Sequence, residues 1–156
     1  MSHLAKLPNI TPVALDVIGP SSIAAAVNTV RQDLSSSGNS LDVLINNAGQ
    51  SLVYPALDFS IEEAKRLFDV DFWGVIAVTQ AFTPLLQAAK NGSTLVNACS
   101  ISGFFASKAA LLSWSETLRS EVQLFNIRVI SLIIGSTVTN VMSHDDLTLP
   151  KRRHEH

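Results

Sequence analysis

The stretch from Leu95 to Leu112 constrains the fold of this chain more than any other part of it. It begins as an apolar run typical of a buried strand, and it passes through a small, polar turn at Ser100 to Gly103. It then opens a helical repeat at Ser107 and Lys108. A strand that leads through a hydroxyl-rich turn into a helix is where parallel α/β sheets usually keep their functional site. The positions with helical spacing that follow are Leu111, Trp114 or Ser115, Leu118, Val122 and Phe125.

Strand-like and helical segments alternate along the rest of the chain. Residues 41–48 are nearly continuous in apolar residues, which predicts a strand buried on both faces. Ser21 or Ser22 offers a cap for a first helix, and Ser60 with Glu63 forms a capping box for a helical stretch at 61–90. The alternation predicts an α/β fold with a parallel sheet of about four strands, right-handed crossovers and helices on both faces. The predicted strands are residues 10–17, 41–48, 93–99 and 127–134.

Composition excludes several classes of function. The chain has 156 residues, of which 47% are hydrophobic and 15% charged, so we expect one domain with a large core. The net charge of −2 gives no electrostatic basis for binding nucleic acid. No apolar run reaches the ~18 residues that a transmembrane helix needs. The four histidines lie near the two ends, without cysteine or carboxylate at ligand spacing, so we expect no metal site.

Cysteine usage suggests the compartment. Cys99 is the single cysteine, so no intrachain disulfide can form, and the N-terminal sequence is broken by Pro8 and Pro12 rather than forming an export signal. These observations favour a cytoplasmic protein.

Several short motifs, in this order and at these approximate spacings, resemble the short-chain dehydrogenase/reductase family. The resemblance covers roughly residues 10–142. Within the family, the sequence most resembles fungal NADPH-dependent acyldihydroxyacetone-phosphate reductase-like members. It implies a single incomplete Rossmann-like domain at 1–142, followed by a polar tail at 143–156. The motifs are Leu15-Asp16-Val17, Asn46-Asn47-Ala48-Gly49, Phe68 to Gly74, Asn97 to Gly103, Ser107 to Leu111, Leu118 to Glu121, and Gly135 to Thr139.

The resemblance implies hydride transfer between NADP, or NAD, and a small-molecule carbonyl or alcohol, with a lipid-linked ketone as one candidate substrate. Two catalytic roles carry over: Ser100 would bind the substrate oxygen, and Lys108 would bind the nicotinamide ribose. Asp16 would meet the adenine amino group, and Thr139 would hold the nicotinamide carboxamide. The cofactor-binding positions implied in this way are Asp16, Val17, Asn46, Ala48, Gly49, Lys108 and Thr139.

The chain departs from the family pattern at catalytic and cofactor-binding positions. The family places a tyrosine, its general acid, four residues before the lysine, and this chain has Phe104 there. Ser100 and Lys108 are about nine residues closer together than the pattern requires. Asp71 replaces an asparagine that supports a water, Ile134 replaces a proline, and no glycine-rich phosphate-binding turn occurs. We therefore expect impaired catalysis and weak cofactor binding.

Two structural predictions follow from the shortened pattern. Because residues 10–17 lack their usual neighbouring strands, we expect them to pair directly beside residues 41–45, which would satisfy their backbone groups. We also expect Gly103 to end the loop and the next helix to begin within two residues of Phe104, since four residues span at most about 14 Å.

The sequence also allows other functions. The chain could be a non-catalytic module that forms homo-oligomers or pairs with full-length relatives through helices 61–90 and 104–126. It could also be a truncated product with no selected function. The resemblance also allows a peripheral location at the endoplasmic reticulum or on lipid droplets.

Overall fold

The computed structural model describes residues 7–50, 57–58, 60–100 and 106–135. Within this part of the chain, strands and helices alternate. The elements are, in order, α1 (Pro20–Ser37), β1 (Val43–Asn46), α2 (Ile61–Phe68), a π-helical turn (Asp69–Gly74), α3 (Val75–Gln87), β2 (Ser93–Ser100), α4 (Ala106–Val122), a 3-10 turn (Gln123–Phe125) and β3 (Ile127–Ile134).

The three strands form a parallel sheet in the order β1-β2-β3. Leu95 in the central strand pairs with Leu44 on one side and with Val129 on the other. The α/β class and the parallel sheet are therefore confirmed.

The helices that connect these strands cover one face of the sheet. Strand order follows chain order, so both right-handed crossovers place their helices, α3 and α4, on the same side. Leu86 of α3 and Val122 of α4 accordingly share a buried cluster with Leu95. Our expectations of helices on both faces, and of residues 41–48 buried on both faces, are wrong for the described residues. The opposite face carries Val43, Ile45, Ile130 and Leu132, which are 50%, 60%, 38% and 48% exposed.

Residues 10–17 do not form a strand, so the described sheet has three strands rather than about four. The predicted pairing of this segment with β1 is wrong. Val13 and Val17 instead pack against the cluster between α1 and α3. The backbone N–H of Asp16 donates to Ser22 Oγ at 2.8 Å. Packing against helices and local hydrogen bonds replace the ladder that we expected.

The helix starts follow local sequence signals. Ser60 caps α2, where Glu63 N donates to Ser60 Oγ at 3.1 Å, and the predicted capping box is confirmed. The cap of α1 is Gly19, with Pro20 in its first turn, so the predicted serine cap is wrong. In the described residues α4 begins at Ala106, two residues after Phe104, as predicted. Gly103 and Phe104 lie outside the described residues.

The core lies between the covered face of the sheet and the helices. One buried cluster joins α1 to α3, a second joins the sheet to α3 and α4, and a third surrounds Leu111. No described helix combines the length and apolar character that crossing a membrane requires.

Candidate active site

Lys108, Asp71 and Gly49 meet beyond the carboxyl ends of β1 and β2. Helix α4 carries Lys108, whose Nζ donates to the backbone oxygen of Ala98 at 3.1 Å. The same Nζ lies 4.0 Å from Asp71 Oδ2 on the π-helical turn. The structure therefore places Lys108 at the end of the central strand, where the sequence predicted a site.

Asp71 is a buried carboxylate with several partners. Its side chain is 1% exposed, and Oδ1 accepts from the backbone N–H of Gln50 at 2.8 Å. Ser107 Oγ donates to Oδ2 at 3.2 Å. Burial raises the pKa of Asp71, while the Gln50 hydrogen bond, the charge of Lys108 and the Ser107 hydroxyl oppose that rise. Asp71 thus partly balances the charge of Lys108 inside the site.

Gly49 lets the backbone approach this charged pair closely. A Cβ atom at position 49 would come within 3.3 Å of both Asp71 Oδ1 and Lys108 Nζ. A side chain there would push against both charged groups, which explains why the loop after β1 has glycine at this point.

Asn46 belongs to a buried network rather than to the surface of the site. Its Nδ2 donates to Thr79 Oγ1 and to Asn97 Oδ1, both at 2.9 Å. Asn97 Nδ2 donates in turn to Ser115 Oγ at 2.8 Å, and Ser115 Oγ donates to the backbone oxygen of Leu111 at 2.7 Å. The network ties β1 and β2 to α3 and α4, so the Asn46 amide group stabilises the scaffold.

The described contacts of the other predicted cofactor-binding residues do not involve Lys108. Asp16 Oδ1 accepts from the backbone N–H of Ile18 at 3.1 Å, so this carboxylate caps its own turn. Val17 packs near Gly74, where an added Cβ would lie 3.0 Å from Val17 Cγ2. Ala48 is exposed in the loop after β1. Thr139 lies outside the described residues.

Ser100 is the last residue of β2, two positions after Ala98. Because side chains alternate along a strand, Ser100 and Ala98 face the same side of the sheet. The structure thus brings Ser100 to the end of the strand that also holds Lys108.

Sequence reasoning missed the polar residues that support the site. Ser107 and Ser115 are both 0% exposed, and each uses its hydroxyl in the contacts above. A signal was present, because Ser107, Leu111 and Ser115 recur every four residues and so share one face of a helix. Asn97 gave a weaker signal as an amide within a predicted strand.

The site as described can hold and orient polar groups. The Lys108 ammonium has three donors, of which Ala98 takes one. The single tyrosine of the chain, Tyr54, lies outside the described residues. Among the described residues, the Lys108 cation and Ser100 are two polar groups at the strand end on which a substrate or cofactor could be positioned.

Comparison with known proteins defines the class. The family model for short chain dehydrogenase matches residues 2–148. A curated short-chain dehydrogenase of Penicillium crustosum is 38% identical over 150 residues, covering 90% of this chain and 54% of the relative. An NADPH-dependent 1-acyldihydroxyacetone phosphate reductase of Schizosaccharomyces pombe is 36% identical over 152 residues, covering 92% of this chain and 49% of the relative.

A solved structure shares the same architecture. A short chain dehydrogenase from Burkholderia cenocepacia, in complex with NADP, superposes with a TM-score of 0.74 at 28% identity. The match covers 86% of this chain and 57% of that structure. The chain belongs to the short-chain dehydrogenase family, and it spans about half the length of the curated relatives it matches.

Asp71 gives a pH-dependent prediction. Its folded-state pKa is raised above the unfolded value of ~3.9. As pH rises above that value the unfolded state ionises first, so the wild type loses stability until pH exceeds the folded pKa. The neutral amide of the Asp71→Asn variant would have no proton to lose. The stability of Asp71→Asn relative to wild type should therefore increase as pH rises from about 4 towards 7.

Urea unfolding of both proteins across this pH range measures the difference. Asp69→Asn, at an exposed position of the same turn, is the matched control and should show a smaller change. A difference between Asp71→Asn and wild type that stays constant with pH would contradict the prediction.

Proposed function

We propose that the site binds the nicotinamide-ribose end of NADP, or of NAD, for hydride transfer to or from a small-molecule carbonyl or alcohol. The observation that supports this most directly is the position of Lys108, with Nζ held by Ala98 O at the end of the central strand. The NADPH-dependent relative and the NADP complex of the Burkholderia protein support the choice of cofactor.

Some of the described residues fit direct contact with such a cofactor, and others would support its site through the scaffold. Lys108 has donors left for ribose hydroxyls, and Gly49 leaves space where a Cβ would crowd the cation. Ser100 would bind the substrate oxygen. Asp16 Oδ1 accepts from the backbone N–H of Ile18, and the carboxylate keeps further lone pairs for an adenine amino group. Asn46 Nδ2 is engaged within the buried network, so Asn46 would support the cofactor site through the scaffold rather than by donating from this group. When bound, the nicotinamide would supply or accept the hydride.

The proposed activity is slow in this chain. A phenylalanine four residues before Lys108 cannot donate the proton that carbonyl reduction requires. Asp71 also offsets part of the positive charge that would otherwise favour an ionised group near Lys108. A lipid-linked ketone as substrate and a cytoplasmic location, with peripheral membrane association as the alternative, belong to the same proposal.

The role of Lys108 can be tested by cofactor binding. Removing its charge would leave Asp71 buried without its partner, which threatens folding. The comparison should therefore use Asp71→Asn as the reference, with Asp71→Asn plus Lys108→Met as the test protein. Loss of charge-assisted hydrogen bonds to the ribose should weaken NADPH binding about tenfold to a hundredfold.

Titration followed by NADPH fluorescence measures this change. The control protein combines Asp71→Asn with Lys90→Met, which removes an exposed lysine beyond α3. Its dissociation constant for NADPH should stay within about twofold of that of the Asp71→Asn reference. Equal effects of the two lysine changes, or no NADPH binding by the reference and the wild type, would reject the proposal.

A non-catalytic pairing module is the second candidate, and a specific observation favours it. The two predicted pairing segments carry exposed large apolar side chains where the structure describes them, from α2 to α3 and from α4 to the 3-10 turn that follows it. These are Ile61, Trp73, Leu124 and Phe125, at 61%, 58%, 89% and 53% exposed. Light scattering that shows a dimer, together with no NADPH binding, would favour this function over the enzyme.

A further inference from the structure

A polar cavity lies at the end of the sheet away from Lys108, beside the first residues of β2 and β3. Its volume is about 430 Å³, which is within the range of small-molecule sites. Ser93 at this end and Ala98 beside Lys108 are five residues apart, about 16 Å along a strand. The cavity is thus separate from the site described above. It is lined by Asn91, Gly92, Ser93, Thr94, Arg119, Gln123, Asn126, Ile127, Arg128 and Val129.

Ser93 gives this cavity an unpaired polar group. The residue is 7% exposed, and its Oγ is buried without a hydrogen-bond partner among the described residues. A buried hydroxyl with no partner is costly, and such groups are rare in folded proteins. A turn of the Ser93 side chain towards the cavity would let a ligand with acceptor oxygens satisfy this hydroxyl.

The charge of the lining indicates the kind of ligand. Arg119 and Arg128 both line the cavity, and no carboxylate is among the described residues that line it. Arg119 is oriented by its Nε, which donates to Val129 O at 3.2 Å, and its Nη1 lies 3.0 Å from Glu116. Arg128 has no charged partner among the described residues. Guanidinium groups match the geometry of phosphate and carboxylate oxygens, so the lining favours an anion.

The backbone around the cavity is already held in place. Gly92 has φ +80° and Asn126 has φ +57°, both in the left-handed region. The backbone N–H of Ser93 donates to Asn126 O at 3.1 Å, which joins the loops before β2 and β3. An added Cβ at Gly92 would lie 2.7 Å from Asn126 Nδ2, so the two loops are tightly packed. A rigid rim lowers the entropy that a ligand must overcome on binding.

We propose that this cavity is a binding site for a phosphate group, either as the free anion or as the monoester of a small polyol. Ser93 Oγ donates to a phosphate oxygen. Arg128 leaves β3 on the other face of the sheet from Ser93, and its long side chain reaches round the end of the sheet to supply the uncompensated charge. Arg119, held between Val129 and Glu116, presents the remaining edge of its guanidinium. The amide side chains of Asn91, Gln123 and Asn126 provide the polar surroundings for a hydroxyl-bearing ester.

Titration of the full chain with inorganic phosphate, followed by amide NMR shifts, tests the proposal. Ionic strength is held constant with chloride so that only specific binding is observed. Saturable shifts at Ser93, Thr94 and Asn126 are expected. Glycerol 3-phosphate is the second probe: tighter binding than phosphate identifies a monoester site, and equal binding identifies a site for the free anion.

Three variants separate specific binding from general charge effects. Arg128→Gln should weaken phosphate binding about tenfold or more. Ser93→Ala should weaken it about fivefold but raise the melting temperature in phosphate-free buffer, because it removes the unpaired hydroxyl. Arg31→Gln removes an exposed arginine of α1 that bonds Asn28, and it should leave phosphate binding unchanged.

Each contrary result is decisive. Failure to saturate by about 10 mM phosphate, where a millimolar site would be nearly full, would overturn the proposal. So would equal losses in Arg128→Gln and Arg31→Gln. Displacement of phosphate by NADPH would assign the cavity to the cofactor and overturn it as a separate site. Because phosphate binding is measured without NADPH, its failure leaves the proposed oxidoreductase function untouched.

Discussion

The Leu111→Ala variant is expected to lose about 3 to 4 kcal/mol of free energy of unfolding. Leu111 is 0% exposed and forms a buried cluster with Val75 and Cys99, between α4, α3 and β2. Truncation removes most of the apolar side chain and leaves a cavity. The cavity cannot collapse easily, because Ser107 and Ser115, one turn away on either side, are fixed by hydrogen bonds.

Urea denaturation followed by circular dichroism gives the free energy of unfolding of Leu111→Ala. Leu124→Ala makes the same chemical change at a residue that is 89% exposed, and it should change stability by less than about 0.5 kcal/mol. A loss below about 1 kcal/mol at Leu111 would show that the surrounding side chains repack and that the cluster is not rigid.

The Phe104→Tyr variant is expected to raise the rate of NADPH-dependent carbonyl reduction by about a hundredfold or more. It restores a phenol four residues before Lys108, the position of the general acid in the family pattern. Phe104 lies outside the described residues, so the prediction rests on sequence position and on the location of Lys108. NADPH consumption with a panel of small ketones measures the rate.

The neighbouring phenylalanine provides the matched control. Phe105→Tyr adds the same phenol one residue later and should leave the rate at the wild-type level. Adding Asp71→Asn to Phe104→Tyr should raise the rate further. Without the Asp71 carboxylate, the positive charge of Lys108 is less offset and lowers the pKa of a nearby phenol more strongly. Equal rates in the two tyrosine variants would show that position 104 has no special access to the reacting group.

Local sequence patterns were enough to predict much of the fold. The last strand was predicted at residues 127–134 and is observed at Ile127–Ile134, and the Ser60 capping box was also correct. These features depend on neighbouring residues in the chain. Residues 10–17 were predicted wrongly, because a strand needs a partner and this segment packs against helices instead. The exposure of one face of β1 was also missed. Which elements cover a strand depends on the order of the strands in the sheet, and that order is not encoded by neighbouring residues.

In the candidate site, too, some features could be predicted from local patterns and others depend on packing. The family pattern placed Lys108 and Gly49 at the strand ends, and the structure brings them together with Asp71. Asn46 was predicted to line a cofactor, and the structure shows that its Nδ2 binds Thr79 and Asn97 in the scaffold. Which of several partners a buried amide chooses depends on three-dimensional packing and could not be read from spacing.

The π-helical turn at Asp69–Gly74 has a consequence for how the long helical segment can vary. Buried residues recur every four positions across this turn, at Leu67, Asp71 and Val75. In a regular α-helix of 3.6 residues per turn, each step of four drifts by about 40°, and the wider turn absorbs that drift. Deleting one residue there would rotate α3 by about 100° relative to α2 and turn its core face away from the sheet. The number of residues in this turn is therefore constrained as strictly as their chemistry.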